Sequence, residues 1–205
     1  MYVLSKRSIE EIKKWELPVA AARLREWISE KEKQALLNIV KMYNGCQNIE
    51  KGKGKHLMEM VKIKDSDTTK YMDLLLIADE QVSMIEKYLY QGDMFALCED
   101  DVKAICVVTK EKKGVYEIKN IVTVPKYQGK GYGQRLMASI VEYYKQYGDE
   151  IYVGTGDCPM ILHFYEKCGF KKSHIVKNFF IDNYDHPMYE DGQQLIDMVY
   201  LKRSL

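Results

Sequence analysis

The chain has no CxxC pair, no GK followed by Ser or Thr, and no apolar run approaching the roughly 20 residues that a bilayer demands. Each absence removes a class of function. Its five cysteines, Cys46, Cys98, Cys106, Cys158 and Cys168, are odd in number, and the opening MYVLSKRS lacks a signal-like apolar stretch. A reduced, cytoplasmic setting is therefore expected, not a disulfide framework. His56, His163, His174 and His186 fall at no metal-ligand spacing, so no metal centre is expected. Without GK[ST], a Walker-type nucleotide loop is unsupported. The net charge of +1 provides neither the footprint of a nucleic-acid binder nor an acidic tail, and neither a nucleic-acid nor a membrane partner is expected. Internal repeats and low-complexity tracts are also lacking.

What is present is enough for one substantial core. At 205 residues and 46% hydrophobic content, the expectation is one domain with a small extension. Charge divides unevenly along the chain. Residues 1–56 carry 12 Lys and Arg against 7 Asp and Glu, which leaves 19 against 23 for residues 57–205. The mildly acidic remainder suits a cationic amine substrate, and an ordinary solvated surface explains it equally well. In the basic part, Ser8 to Glu11 offer a capping box for a helix over 9–16, and Pro18 suits the first turn of a second that reaches Met42. Ala35, Leu36, Ile39, Val40 and Tyr43 fall on one face of it. Two helices cannot bury that surface alone, so a packing arm is expected, on the rest of the chain or across a homodimer. A helix-turn-helix is the weaker alternative, since no third helix is evident. Residues 45–56, with GKGKH, read as a linker.

The chain is organised around residues 117–147, EIKNIVTVPKYQGKGYGQRLMASIVEYYKQY. Residues 117–124 are β-branched and alternating, which favours a strand, and Pro125 stops it. From Gln134, Leu136, Met137, Ile140, Val141 and Tyr144 recur at helical spacing until Gly148 closes the run. Between them, Gly129, Gly131 and Gly133 allow backbone N–H groups to converge at the positive end of the new helix. That is a candidate anion cradle for a pyrophosphate, although a plain tight turn also explains three alternate glycines.

With Pro125 and Gln128 in place, VTVPKYQGKGYGQRLM resembles the acetyl-CoA-binding motif of the GNAT N-acetyltransferase superfamily, V-x-P-x-x-[QR]-[GR]-x-G-x-[GA]. Further on, FYEKCGF at residues 164–170 resembles that family's second signature, in the right order and after a second predicted strand. The similarity runs from about residue 57 to the end and leaves out the arm. It implies acetyl-CoA as acetyl donor, a primary amine of a small molecule or protein as acceptor, and direct attack on the thioester through a tetrahedral intermediate; the alternative is a non-catalytic acyl-CoA-binding sensor or interaction module with the basic helical arm as its partner contact. It also implies that backbone groups of Ile121, Val122, Thr123 and Val124 pair with the pantetheine arm. Gln128, Gly129, Lys130, Gly131, Tyr132, Gly133 and Gln134 would hold the pyrophosphate, with Lys130 and Arg135 as sources of charge.

Two side chains take catalytic roles by the same resemblance. Tyr165 is the candidate acid for the departing thiolate, since an ordinary phenol near pKa ~10 keeps its proton at neutral pH; the alternative is a packing tyrosine beside Phe164 and Phe170. Glu117 is the candidate base, through water, because the family often carries a glutamate eight residues before the motif proline; the alternative is a surface strand residue. Two departures stand out. The strand IYVGTGDCP carries no glutamate after Glu150, and Cys158 stands where the family frequently has asparagine. The loop DNYDHPMYEDG, with Asp182, Asp185, His186, Glu190 and Asp191, is placed to cover an acceptor site, or is a solvated hairpin loop.

The remaining elements follow by pattern. A first strand is expected in MEMVKI, helix over 68–90 in one or two pieces, a hairpin of MFALCED and VKAICVVTKE turning at Glu99 to Asp101, a strand over 151–155, a helix over 160–167, and strands over 172–181 and 194–202. The order predicts an α/β (α+β) fold: a mixed, mostly antiparallel central sheet flanked by helices, as the GNAT resemblance implies. In that fold the strands before and after the long helix splay apart.

Overall fold

The computed structural model describes residues 58–205. The expected helices over 9–16 and 18–42, the linker over 45–56 and Cys46 lie outside the described residues. Along the described part the elements are β1 (Glu59–Lys62), a 3₁₀ segment (Asp65–Tyr71), α1 (Met72–Leu75), α2 (Val82–Leu89), β2 (Gly92–Cys98), β3 (Val102–Lys112), β4 (Val115–Thr123), a 3₁₀ turn (Pro125–Tyr127) and α3 (Tyr132–Tyr144). There follow β5 (Glu150–Gly156), α4 (Pro159–Lys167), β6 (Lys171–Val176), α5 (Phe179–Asn183), β7 (Tyr189–Glu190), β8 (Gln193–Gln194) and β9 (Met198–Ser204).

Seven strands form one sheet in the order β1-β2-β3-β4-β5-β9-β6. Every neighbouring pair is antiparallel except β4 with β5. The parallel pair follows from the long helix between its strands, since only a crossover can return the chain in the same direction. Sheet and helices share one core. Leu136, Met137 and Ile140 of α3 are fully buried against Phe95, Ala104, Cys106, Val108 and Ile118 on one face of β2 to β4, and each such side chain contributes about 1.5–3 kcal/mol by leaving water. The alternate residues Met94, Ala96, Ile105 and Val107 are equally buried. By strand alternation they face the other side of the sheet, where α1 and α2 pack. Sheathing on both faces explains why β2 and β3 read as continuous apolar runs.

One expectation is refined and two need correction. The helix expected over 68–90 is in two pieces, the second of the two arrangements its pattern allowed, with a break between α1 and α2 that carries Asp79 and Glu80. The strand predicted over 172–181 stops at Val176, because Asn178 takes a left-handed conformation (φ 55°) and begins α5. That turn is held by Asp197, which accepts the Asn178 N–H at 2.9 Å and pairs with Lys177 at 2.7 Å, a tie that spans the following loop and has no local signal. The last strand starts at Met198, not Gln194; Gln193–Gln194 instead pairs with Tyr189–Glu190 around Asp191 and Gly192, both at positive φ, the geometry for which an Asp-Gly turn is suited.

Gly148 carries the chain from α3 into β5 and fixes where the parallel pair begins. The Gly114 carbonyl accepts the N–H groups of Asp149 at 2.8 Å and Glu150 at 3.2 Å, and a Cβ on Gly148 would stand 2.6 Å from that same oxygen. Neither backbone segment can yield without moving β5. Gly148→Ala is expected to destabilise the domain by about 1–3 kcal/mol, read as a lower denaturant midpoint at unchanged m-value.

Candidate functional site

The site begins where β4 and β5 part. They pair from Val115↔Glu150 to Ile118↔Val153 and no further, while β4 continues to Thr123 beside β3. At the parting point the register between β3 and β4 slips: Val108 faces Ile118 and Val107 faces Asn120, which leaves Lys119 as a bulge. Val124 donates its N–H to the Lys103 carbonyl at 2.9 Å. Backbone groups alternate sides along an antiparallel ladder, so those of Thr123 and Ile121 turn to the opposite edge, the one β5 has left. The backbone groups of Val122 and Val124, expected to be free for a ligand, are therefore turned to β3; Ile121 and the Thr123 N–H carry the open positions.

Beyond the strand, the glycine turn is built as an anion cradle requires. Gly129 and Gly131 have φ of 73° and 81°, a region that side chains avoid, and a Cβ at either would meet nothing within 4 Å. The space above them is open. Gly131 caps α3 with no side-chain hydrogen bond, and the helix's first bond runs from the Arg135 N–H to the Gly131 carbonyl at 3.1 Å. The N–H groups of Tyr132, Gly133 and Gln134 thus stand free at the positive end of the helix. Gly133 is required for closeness as well, since a Cβ there would lie 3.1 Å from Thr123 Oγ1. Gln128 braces the turn by donating from Nε2 to the Thr123 carbonyl at 3.3 Å.

Charge around the turn is organised by a residue the sequence did not single out. Asp101, in the β2–β3 turn, accepts the Tyr127 hydroxyl at 2.6 Å and pairs with Lys126 at 2.9 Å and Lys103 at 2.5 Å. The ammonium of Lys103, a nearly buried residue, also lies 4.2 Å from the Tyr127 ring centre. Although burial acts the other way, hydrogen bonds from Lys103, Tyr127 and Lys126 hold the Asp101 carboxyl down at about 2. Of the two expected charge sources, Lys130 points its ammonium at the Lys126 carbonyl, 3.2 Å away, and Arg135 rests on Met58 Sδ at 3.5 Å.

From the parted strands a cavity of about 470 Å³ extends towards α1, α2 and the loop after α5. Ile121, Val122, Thr123, Gln128 and Gly133 line it, and so does Tyr165. Gly129, Lys130, Gly131 and Tyr132 sit at the turn beside it, while Gln134 belongs to a separate groove with Lys167 and Cys168. Burial pushes the Tyr165 phenol well above its ordinary value, with smaller contributions from Cys106 and Cys168. Cys158, at the head of α4, lines the same cavity. Glu117 does not share this lining. Its carboxylate is held outside by Lys119 at 2.8 Å and the Tyr200 hydroxyl at 3.3 Å, so contact with a reacting group in the cavity requires an intervening water.

The far end of the cavity was not legible in the sequence. Asp79, 7% exposed, accepts the Tyr184 hydroxyl at 3.0 Å and the Tyr88 hydroxyl at 3.2 Å. Asn120 in turn donates to Tyr88 Oη and to the Leu75 carbonyl, each at 3.1 Å. These four come from separate stretches of chain, and no spacing rule connects them. The loop after α5 does border the cavity, as its composition suggested, through Tyr184, Tyr189 and Glu190. Asp182, Asp185 and Asp191 are not part of that lining. His186 instead pairs with Asp185 at 2.6 Å and Glu80 at 3.6 Å, and the Asp185 N–H reaches Gln81 Oε1 at 3.0 Å, which fastens the loop to the α1–α2 turn. Among the described residues there is no group of three or more His, Cys, Asp or Glu able to hold a metal ion, and no helix long and apolar enough to cross a membrane.

Comparison with known proteins agrees with this architecture. Residues 90–172 match the family model for the acetyltransferase (GNAT) domain. The uncharacterized N-acetyltransferase YvbK of Bacillus subtilis (strain 168) is 33% identical over 148 residues, 71% of this chain and 96% of its own. A GNAT family acetyltransferase from Elizabethkingia anophelis, solved with acetyl-CoA bound, superposes with a TM-score of 0.68 at 30% identity, over 72% of this chain and 98% of its own. A Bacillus subtilis acetyltransferase solved in complex with CoA does so with a TM-score of 0.67 at 31% identity, over 73% and 99%. The expected mixed sheet flanked by helices is the fold these structures share.

The Asp101 tether carries a prediction. Its folded carboxyl is depressed, so its contribution is complete above the ordinary aspartate pKa of ~3.9 and disappears as pH falls through about 2. The Tyr127 ring resonances are expected to titrate near pH 2, not near 4. In Asp101→Asn at neutral pH, the bonded amide hydrogens of Tyr127 and Gln128 should exchange several-fold faster, with the α3 core unaffected.

Proposed function

We propose that this chain, which belongs to the GNAT acetyltransferase family, is an acetyl-CoA-dependent N-acetyltransferase of small primary amines and works in the cytoplasm. The observation that carries the reading is the continuity of three features: the uncapped glycine turn, the open edge of β4, and a cavity into which Tyr165 reaches. The residues present fit a CoA thioester. The free N–H groups of residues 132–134 and the space above Gly129 and Gly131 suit its pyrophosphate. Ile121 and Thr123 offer strand-type pairing to an extended amide chain.

Acetyl-CoA, when bound, supplies a thioester whose C–S bond breaks as the amine nitrogen forms its C–N bond, the electron pair leaving on sulfur. The protein's own part is threefold. An N–H on the open edge of β4, fixed before reaction, opposes the negative charge that develops on the acyl oxygen. Tyr165, which burial keeps protonated at neutral pH, is the donor that meets the charge developing on the departing sulfur. The amine must shed a proton to attack, and Glu117 can receive it only through water. Its contacts favour a second role, because pairing with Lys119 anchors the bulged residue where the strands divide.

Two substitutions test these assignments. Tyr165→Phe is expected to lower kcat for acetyl transfer by about 10²-fold or more and leave acetyl-CoA affinity within a factor of about two, measured by release of CoA thiol against a panel of amines and by calorimetry. Unchanged turnover removes Tyr165 from the mechanism. Glu117→Gln separates base from brace: loss of the acid limb of the kcat/KM profile identifies a base, whereas a raised acetyl-CoA KM with an unmoved pH profile identifies a brace. Tight acetyl-CoA binding with no transfer to any amine would make the protein a sensor and overturn the enzymatic reading.

A further inference from the structure

Three separate stretches of chain meet around the far end of the cavity, and one hydroxyl that does not line it joins them. Asn120 of β4, Asp79 of the α1–α2 turn and Tyr184 of the loop after α5 all belong to the lining, whereas Tyr88 of α2 does not. Tyr88 Oη accepts an N–H from Asn120 at 3.1 Å and donates its own proton to Asp79 Oδ2 at 3.2 Å. The other oxygen of Asp79 accepts the Tyr184 hydroxyl at 3.0 Å. The second N–H of Asn120 goes to the Leu75 carbonyl at 3.1 Å, which ties β4 to α1 as well. Asn120, Asp79 and Tyr88 are buried, and Tyr184 is half-buried. Each link depends on the chemistry of its group: the amide N–H donates, the ionised carboxylate only accepts, and the phenol between them must do both. Burial, followed by the charge of Asp79, raises the Tyr88 phenol well above its ordinary value, so it keeps the proton that it donates.

Such a chain is more than α2 needs in order to pack. Apolar residues of the same shape would hold the helix on the sheet about as well, because a buried polar network gains little net stability over a hydrophobic one. What directed bonds add is position. Asn120 sits between the bulge at Lys119 and Ile121, so a fixed Asn120 fixes the direction of the open backbone position that follows it. At the other end Tyr184 is held at its hydroxyl by Asp79, and its ring stacks on that of Phe180, with centroids 5.6 Å apart and 30° between the planes. Phe180 also lines the cavity. Resting on the acetyl-transfer reading, we propose that Tyr88 is a positioning residue for that reaction: through Asn120 it aims the open edge of β4, and through Asp79 it fixes Tyr184 on the acceptor side. One hydroxyl outside the cavity thus sets both sides of it in a single register, and misplacement of either side slows a reaction that depends on alignment.

The test compares the full chain with Tyr88→Phe, Tyr184→Phe and the double variant, each assayed well below its own melting temperature. Release of CoA thiol is followed with the best-acetylated amine of the panel, n-butylamine and 2-phenylethylamine included. Tyr88→Phe keeps the ring and removes only the hydroxyl; it is expected to lower kcat by about tenfold and to leave acetyl-CoA affinity, by calorimetry, within about twofold. Because Tyr88 acts on Tyr184 through Asp79, the losses in kcat/KM should not add: the double variant is expected within about twofold of Tyr88→Phe. A lowered melting temperature with kcat and kcat/KM unchanged assigns Tyr88 a purely structural role and overturns the proposal, as do losses that add. Should Tyr88→Phe fail to fold, Tyr184→Phe, at a half-buried position, decides by a second readout. The side-chain amide resonances of Asn120, at the far end of the hydrogen-bonded chain, should shift in that variant; unmoved resonances overturn the proposal. The parent reading fails separately: no transfer to any amine by the unsubstituted protein refutes the transferase, whereas transfer that Tyr88→Phe leaves intact refutes only the positioning role.

Discussion

Two parallel strands that pair for a few residues and then diverge leave backbone N–H and C=O groups inside a protein with no neighbour. Groups of that kind need other partners, and here they fall where β4 continues past Ile118 while β5 turns away after Val153. The rest of the molecule is arranged to maintain that gap. Gly148 and the Gly114 carbonyl determine where the parallel pairing starts, the bulge at Lys119 bends β4 at the point of separation, and α3 with its core residues holds both strands from one side. A gap maintained so rigidly is a place for an extended ligand to complete the sheet.

The two ends of the gap have opposite electrostatic character. At one end a helix N-terminus without a side-chain cap meets lysines whose charges Asp101 keeps in register, which attracts an anion. At the other end carboxylates outnumber free cations, which attracts a cation. Tyr165 lies on the cavity between them, in a setting that keeps it protonated. For the acetyl transfer proposed above, such a gradient would orient both substrates: the phosphates of one and the positive charge of the other would draw their reacting groups towards the same parted strands.

Legibility from sequence followed the range of the interactions. The strand, glycine turn and long helix over 117–147 appeared in place because alternation, proline and glycine act within a few residues, and the same is true of the hairpin at Glu99 to Asp101 and of the helix that carries Tyr165. Errors gathered after residue 176, where Asn178 and Asp197 replace an extended strand by a turn. The position of the break between α1 and α2 had no local signal for the same reason. Its Asp79 is held by hydroxyls from Tyr88 and Tyr184, the latter more than a hundred positions along the chain.

The sequence by itself determined the order of elements, the glycine turn at the head of the long helix and the presence of a tyrosine on the helix after the second strand, since these depend on local backbone preferences and on a motif whose residues are neighbours. Only the tertiary structure decided which backbone groups of β4 stay open, that Glu117 lies behind Lys119 and outside the cavity lining, and that Asp79 and Asn120 meet Glu190 around one space. Burial and cross-chain hydrogen bonding set those outcomes, and both come into being only when distant segments pack together.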